Sequence, residues 1–200
     1  MKAAWYERTG PAREVLQIGE LDVPAPGPGE VLVRVRASGI NPADYKRRAG
    51  WRGQAMSHPL VIPHTDGAGE VVGVGEGVDA ARIGERVWLY NAQGGYGADL
   101  GRAFGTAAQY CALPSVQAET LADGISFAEG AGLPVPGLTA HRAVFADGPV
   151  TGQAVLVAGG AGTVAQYAIG FARDDRARIV IATVSRNTGV RPLRSTVRPI

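Results

Sequence analysis

From residue 2 to about residue 125 the chain alternates short apolar and polar positions between turn clusters, a period of two that predicts strands. Residues 2–6 and 15–20 read as strands. In 30–37, Val31, Val33 and Val35 alternate with Leu32, Arg34 and Arg36, which predicts a strand with one buried face. Residues 69–74, 86–90 and 107–113 follow the same logic, and the last of them holds Cys111. The run Pro24-Ala25-Pro26-Gly27-Pro28-Gly29 reads as a loop, because prolines cannot supply the N–H groups of a ladder. Gly67-Ala68-Gly69 and residues 73–77 lie between strands with no helical period after them, and they are expected as turns.

Helical signals come next. Asn41 suits an N-cap, Pro42 the first helical position and Gly50 the residue past the end. Ser126 and Glu129 have capping-box spacing and open a second helical zone. Pro134 and Pro136 are expected to interrupt it before 138–145 resumes. After Asp147-Gly148-Pro149 the pattern changes. Residues 154–158 are continuously apolar, as in a parallel strand covered on both faces. Past a glycine-rich turn, Val164, Tyr167, Ala168 and Phe171 fall at i, i+3, i+4 and i+7 of a helix. Residues 179–184 are a second apolar strand, which completes a βαβ unit and begins a doubly wound domain. The expected class is therefore α/β. A β-rich domain covers 1–125, connecting helices and a partial nucleotide-binding domain cover 126–185, and an irregular basic tail covers 186–200.

Composition narrows the class. With 46% hydrophobic and 19% charged residues, the 200-residue chain is too apolar for disorder. Its single cysteine excludes an internal disulfide and a cysteine-built zinc cluster. Neither an apolar leader segment nor a run of about 20 apolar residues is visible, so a soluble, cytoplasmic protein with no membrane insertion is expected. The net charge of +2 arises in the tail, where Arg186, Arg191, Arg194 and Arg198 stand without an acid. The remainder has 16 basic against 18 acidic residues, a net of −2, and gives no electrostatic support for nucleic-acid binding.

The chemistry concentrates in the glycine-rich turn. Gly160-x-Gly162-x-x-Ala165, after a buried strand and before an amphipathic helix, has the form and context of a dinucleotide fingerprint. In such a loop Gly159 and Gly160 make the tight turn, and Gly162 lets a pyrophosphate approach the backbone. Thr163 and Val164 present amides at the positive helix end, while Ala165 lets helix and strand pack closely. About twenty residues on, NAD sites usually carry an acid for the ribose 2′-hydroxyl. This chain has Ser185 and Arg186 there, a hydroxyl beside a guanidinium, which favours the 2′-phosphate of NADP(H). Arg186 also reads as a solvated arginine of the tail.

These segments together resemble the medium-chain dehydrogenase/reductase superfamily, and within it the zinc-independent, zeta-crystallin-like quinone oxidoreductases. The resemblance is carried by Met1-Lys2-Ala3, Pro28-Gly29-Glu30-Val31-Leu32-Val33, Gly39-Ile40-Asn41-Pro42-Ala43-Asp44 and Pro63-His64-Thr65-Asp66-Gly67-Ala68-Gly69. It continues through Val74-Gly75-Glu76-Gly77-Val78, Gly84-Glu85-Arg86-Val87, Leu138-Thr139-Ala140 and the loop at 159–165. It implies a GroES-like β-rich N-terminal domain followed by the beginning of a Rossmann domain, with the active site in the cleft between them. The zinc-dependent alcohol dehydrogenases are the competitor. Where that branch places its zinc ligands, this chain has Asn41, Thr65 and Val135, with His64 out of register by one, so no metal is expected.

The resemblance further implies direct hydride transfer from NADPH to a quinone or α,β-unsaturated carbonyl. Asn41 would hold the nicotinamide or donate to the quinone oxygen, and Asp44 would order the helix or a water. Asn41 reads equally well as the helix cap. A doubly wound domain has about six strands and this chain stops after two, so truncation and poor activity are expected. The family's usual homodimer is doubtful in such a form. The alternative is a non-catalytic remnant serving at most as a GroES-like binding or structural domain. After Ser185 the tail loses all period, and 18 Arg against 2 Lys point to GC-rich DNA, so a frameshift near codon 186 is expected.

Overall fold

The alternation of 30–37 becomes β3 (Glu30–Gly39), an interior strand of an antiparallel sheet in a computed structural model that describes residues 1–53, 55–56, 58–94 and 101–185. The expected basic tail at 186–200 lies outside the described residues. The sheet runs β6 (Tyr110–Pro114), β3, β4 (Asp66–Val74), β5 (Arg86–Leu89), β7 (Ala118–Thr120). Val31 and Val33 point with Val71, Val87, Leu89, Cys111 and Leu113 into one core, each at most 1% exposed. Each such aliphatic side chain contributes about 1.5–3 kcal/mol by leaving water. A separate hairpin pairs β1 (Lys2–Trp5) with β2 (Gln17–Glu20). Val15 is not in that strand. It ends a single helical turn, α1 (Ala12–Val15), because it is buried against Tyr6 and Val61.

Gly67-Ala68-Gly69 differs from the turn expected of it and lies inside β4. A Cβ on Gly69 would sit 2.2 Å from the Arg34 carbonyl oxygen, so glycine here permits close strand approach. Helix α2 (Pro42–Arg48) follows its predicted signals, with Gly50 at φ +72° beyond its end. Helix α3 (Phe127–Gly132) opens with the predicted capping box, in which Ser126 Oγ accepts from the Glu129 amide at 3.2 Å. Pro134 and Pro136 do not interrupt the next helix; they lie in the first turn of α4 (Pro134–Phe145), where missing N–H groups cost nothing.

The chain divides into two units, Met1–Val135 and Pro136–Ile200. The first extends past residue 125 because α3 packs Ala131 with Ala68 and Leu121 beside the sheet. In the second, β8 (Ala154–Val157) and β9 (Ile179–Ala182) pair in parallel around α5 (Thr163–Asp174), the βαβ unit expected from the sequence. Two details differ. Ala165, Ala168 and Ala172 form the buried stripe of α5, whereas Val164 is 39% exposed. Among the described residues only one face of the strand pair is covered, since Leu156 is 68% exposed.

Candidate functional site

Two places carry chemistry, one in each unit. In the second unit the loop between β8 and α5 is shaped by glycine. Gly159 has φ +70°, in the left-handed region that favours glycine. A Cβ on Gly160 would lie 2.7 Å from Ala182 Cβ, so this residue sets the approach of loop to β9. The loop is tied down by Thr183, whose carbonyl accepts from the Gly160 amide at 2.7 Å and whose Oγ1 accepts from Gly159 at 3.2 Å. Gly162 occupies the N-cap position with no side-chain cap, and the first turn of α5 contains no acid. The amides of Thr163, Val164 and Ala165 therefore have no acceptor within the helix, and the positive helix end is not compensated locally. A Cβ at Gly162 would meet only the Gly159 carbonyl, at 3.3 Å. Such a helix start can accept an anion. Ser185 is exposed at the end of the following segment, and Arg186 lies outside the described residues.

In the first unit a polar cluster is buried where β3, α2, β4 and α4 begin or end. Gly39 makes it possible, because a Cβ there would strike the Ala131 carbonyl oxygen at 2.3 Å and Asp66 Cβ at 2.9 Å. The Asn41 backbone N–H donates to Asp44 Oδ2 at 2.6 Å, the reciprocal half of the cap expected at this helix. The Asn41 side chain is used differently. Its Nδ2 donates to Asp66 Oδ2 at 2.8 Å, and the Val135 amide donates to the same oxygen at 2.8 Å. Asp66 thus caps α4 from a distance while fixing the Asn41 amide.

Asn41, Asp44, Thr65 and Asp66 are all at most 8% exposed. Asp66 Oδ1, Asp44 Oδ1 and Thr65 Oγ1 have no hydrogen-bond partner among the described residues. Burial pushes the Asp66 carboxyl up to about 6, against the pull of the Val135 amide and the Asn41 side chain. Burial also raises Asp44, opposed by the Asn41 amide and by the charges of His64 and Arg47. His64 is lowered by burial, with Asp44 acting the other way. His64 also carries φ +75°, a conformation that costs a non-glycine residue on the order of 1–3 kcal/mol.

The sequence-predicted residues Asn41 and Asp44 are therefore together, as are the loop residues from Gly159 to Ala165. Asp66, the most perturbed carboxyl of the cluster, was not among the predicted site residues. Its only signal was its place in the segment Pro63-His64-Thr65-Asp66-Gly67-Ala68-Gly69 that carries the family resemblance. Thr183 was also missed, since its role is to hold the loop.

The comparisons with known proteins now bear on both places. Residues 27–123 match the alcohol dehydrogenase GroES-like domain. The rat synaptic vesicle membrane protein VAT-1 homolog is 36% identical over 163 residues, which are 81% of this chain and 37% of that protein. The quinone oxidoreductase of Thermus thermophilus, solved also as its complex with NADPH, superimposes with a TM-score of 0.72 at 30% identity over 94% of this chain and 54% of its own. The chain belongs to the medium-chain dehydrogenase/reductase superfamily. An NAD-dependent alcohol dehydrogenase superimposes with a TM-score of 0.79 at 32% identity, covering 92% of this chain and 58% of its own. Against these three the chain spans from about a third to somewhat over half of the relative's length. The superfamily is one of oxidoreductases, and its GroES-like sheet followed by the start of a Rossmann-like fold is the architecture described above. No helix among the described residues is long and apolar enough to cross a membrane.

Proposed function

We propose that this chain carries the phosphate loop and the acceptor pocket of a metal-free, NADPH-dependent reductase of quinones or α,β-unsaturated carbonyls. The observation that carries the reading is the uncapped, acid-free start of α5 behind Gly162. Thr163, Val164 and Ala165 would hold the pyrophosphate, and Ser185 and Arg186 the 2′-phosphate. NADPH when bound supplies a hydride, and the protein's part is to position and desolvate the reacting groups. Asn41 and Asp44 serve the acceptor pocket, with Asp66 holding the Asn41 amide in one orientation.

The donor set argues for chemistry without zinc. A catalytic zinc needs three ligands of the His, Cys or carboxylate type. Asn41 and Val135 instead converge by N–H groups on a single carboxylate oxygen, and Thr65 offers only a hydroxyl. Fluorescence titration of the purified chain with NADPH and NADH tests the cofactor, and loss of NADPH absorbance with benzoquinone tests the reaction. Tighter binding of NADPH with quinone-dependent oxidation is expected. Equal affinity for NADH overturns the cofactor choice, stoichiometric zinc by elemental analysis overturns the metal-free reading, and binding of neither nucleotide overturns the proposal.

A further inference from the structure

The polar cluster contains a directional chain of hydrogen bonds that ends on His64. Thr106 Oγ1 lies 2.5 Å from the Asp66 backbone carbonyl oxygen. A carbonyl only accepts, so the Thr106 hydroxyl hydrogen is committed to it. Ser38 Oγ lies 2.8 Å from Thr106 Oγ1, which has no hydrogen left to give, so Ser38 must donate there. Ser38 Oγ also lies 2.9 Å from His64 Nδ1. With its own hydrogen committed, Ser38 can only accept, and His64 must carry its proton on Nδ1. Reversing the chain would leave two acceptors facing each other at 2.5 Å without a hydrogen between them. Nε2 is then the bare nitrogen of the neutral ring, and no group among the described residues bonds to it.

The backbone of His64 is held in the left-handed region at φ +75°, with its carbonyl accepting from the Thr106 amide at 2.9 Å. Unusual backbone of this kind marks positions where a side chain is aimed at the expense of local stability. The acids around it are Asp44, whose charge acts on the ring, and Asp66, whose backbone carbonyl terminates the chain. Arg47 is the cation acting on Asp44.

We propose that His64 is the proton-exchanging group of this pocket, locked by Ser38 and Thr106 so that Nε2 meets the oxygen of an acceptor or of its reduced, hydroxyl-bearing form. The proposal rests on the reductase reading. A hydride supplied by bound NADPH would leave the electron pair on the acceptor oxygen as an oxyanion. Nε2, bare in the resting ring, would take a proton from solvent as the oxyanion forms; that N–H bond would then break as the O–H bond forms, returning the ring to its neutral Nδ1–H form. A hydroquinone is thus a natural ligand for the neutral ring, donating its hydroxyl to Nε2.

Long-range proton–nitrogen correlation NMR on the labelled chain reads the tautomer of each of its three histidines directly. The expected result is His64 protonated on Nδ1 at neutral pH, with Ser38→Ala shifting the ring toward the Nε2–H form. Ser38 is exposed, so this variant keeps the fold. Thr106→Val should act in the same direction and Thr106→Ser should restore the original tautomer. Addition of hydroquinone without nucleotide should move the Nε2 resonance of His64 and leave that of His58 in place. An Nε2–H tautomer in the parent chain, or one indifferent to Ser38→Ala, overturns the directional chain. Hydroquinone that shifts other residues but not Nε2, or that leaves the whole spectrum unchanged, overturns the ligand role. Failure of NADPH oxidation with an intact tautomer and ligand response would count against the reductase reading alone.

Discussion

Asp66→Asn isolates the energetic cost of the buried carboxylate. Asp66 is 1% exposed and titrates at about 6 in the fold, against 3.8 as the ordinary value. Between those two values the folded chain holds a proton that the unfolded chain has released. Stability contributed by the neutral carboxyl is thus fully present below 3.8 and is lost as pH rises through about 6. At about 1.36 kcal/mol per pH unit the interval corresponds to about 3 kcal/mol. The amide of the variant cannot titrate, so whatever constant offset the substitution brings, the stability gap between the two proteins should change by about 3 kcal/mol from about pH 3 to about pH 7.5. Asp44, whose charge adds to the rise at Asp66, is present in both proteins. Urea unfolding followed by tryptophan fluorescence reports the right unit, because Trp5, Trp51 and Trp88 all lie within Met1–Val135. A gap that stays constant to within about 1 kcal/mol, or that moves so as to favour the parent at high pH, would refute the argument that burial dominates this carboxyl.

The remaining expectations concern single contacts. Gly160→Ala should lower the melting temperature of the second unit, by a loss of about 1–3 kcal/mol, because its Cβ would lie 2.7 Å from Ala182 Cβ. Circular dichroism checks it, and an unchanged melt counts against the tight loop-to-strand approach. Gly162→Val should leave that melt nearly intact yet weaken NADPH binding by about tenfold or more, as judged by fluorescence titration, since the side chain intrudes on the helix start that would accept the anion. Asn41→Leu should push the Asp66 titration further up, because a lowering hydrogen bond is lost; carbon NMR of the carboxyl reads this directly. Cys111 is fully buried and pushed up to about 12, so iodoacetamide at mildly alkaline pH should spare it in the folded chain and label it in urea.

Much of the fold was legible because its signals are local. The period-two run at Val31, Val33 and Val35, the cap at Asn41 with Pro42, and the Ser126–Glu129 box each fix an element within a few residues of itself. The misreadings arose where distant chain decides. Gly67 and Gly69 look like turn glycines in one dimension, and only the approach of Thr106 and the Arg34 carbonyl makes them strand residues. The prolines at 134 and 136 look like breakers until the helix is seen to start on them. The same division explains the site. The loop from Gly159 to Ala165 is contiguous, so its spacing, set between an apolar strand and an amphipathic helix, marked it in the sequence. The polar cluster of the first unit joins Ser38, Asn41, His64, Asp66, Thr106 and Val135, which the fold brings together across almost a hundred residues. Asn41 and Asp44 were singled out by the family resemblance, and Asn41 reads as a helix cap as well. Asp66 had no such second role in sequence, and its raised titration is a property of burial that no spacing of residues encodes. The hydroxyl chain to His64 is more hidden still, since its direction follows from one acceptor-only carbonyl at its far end.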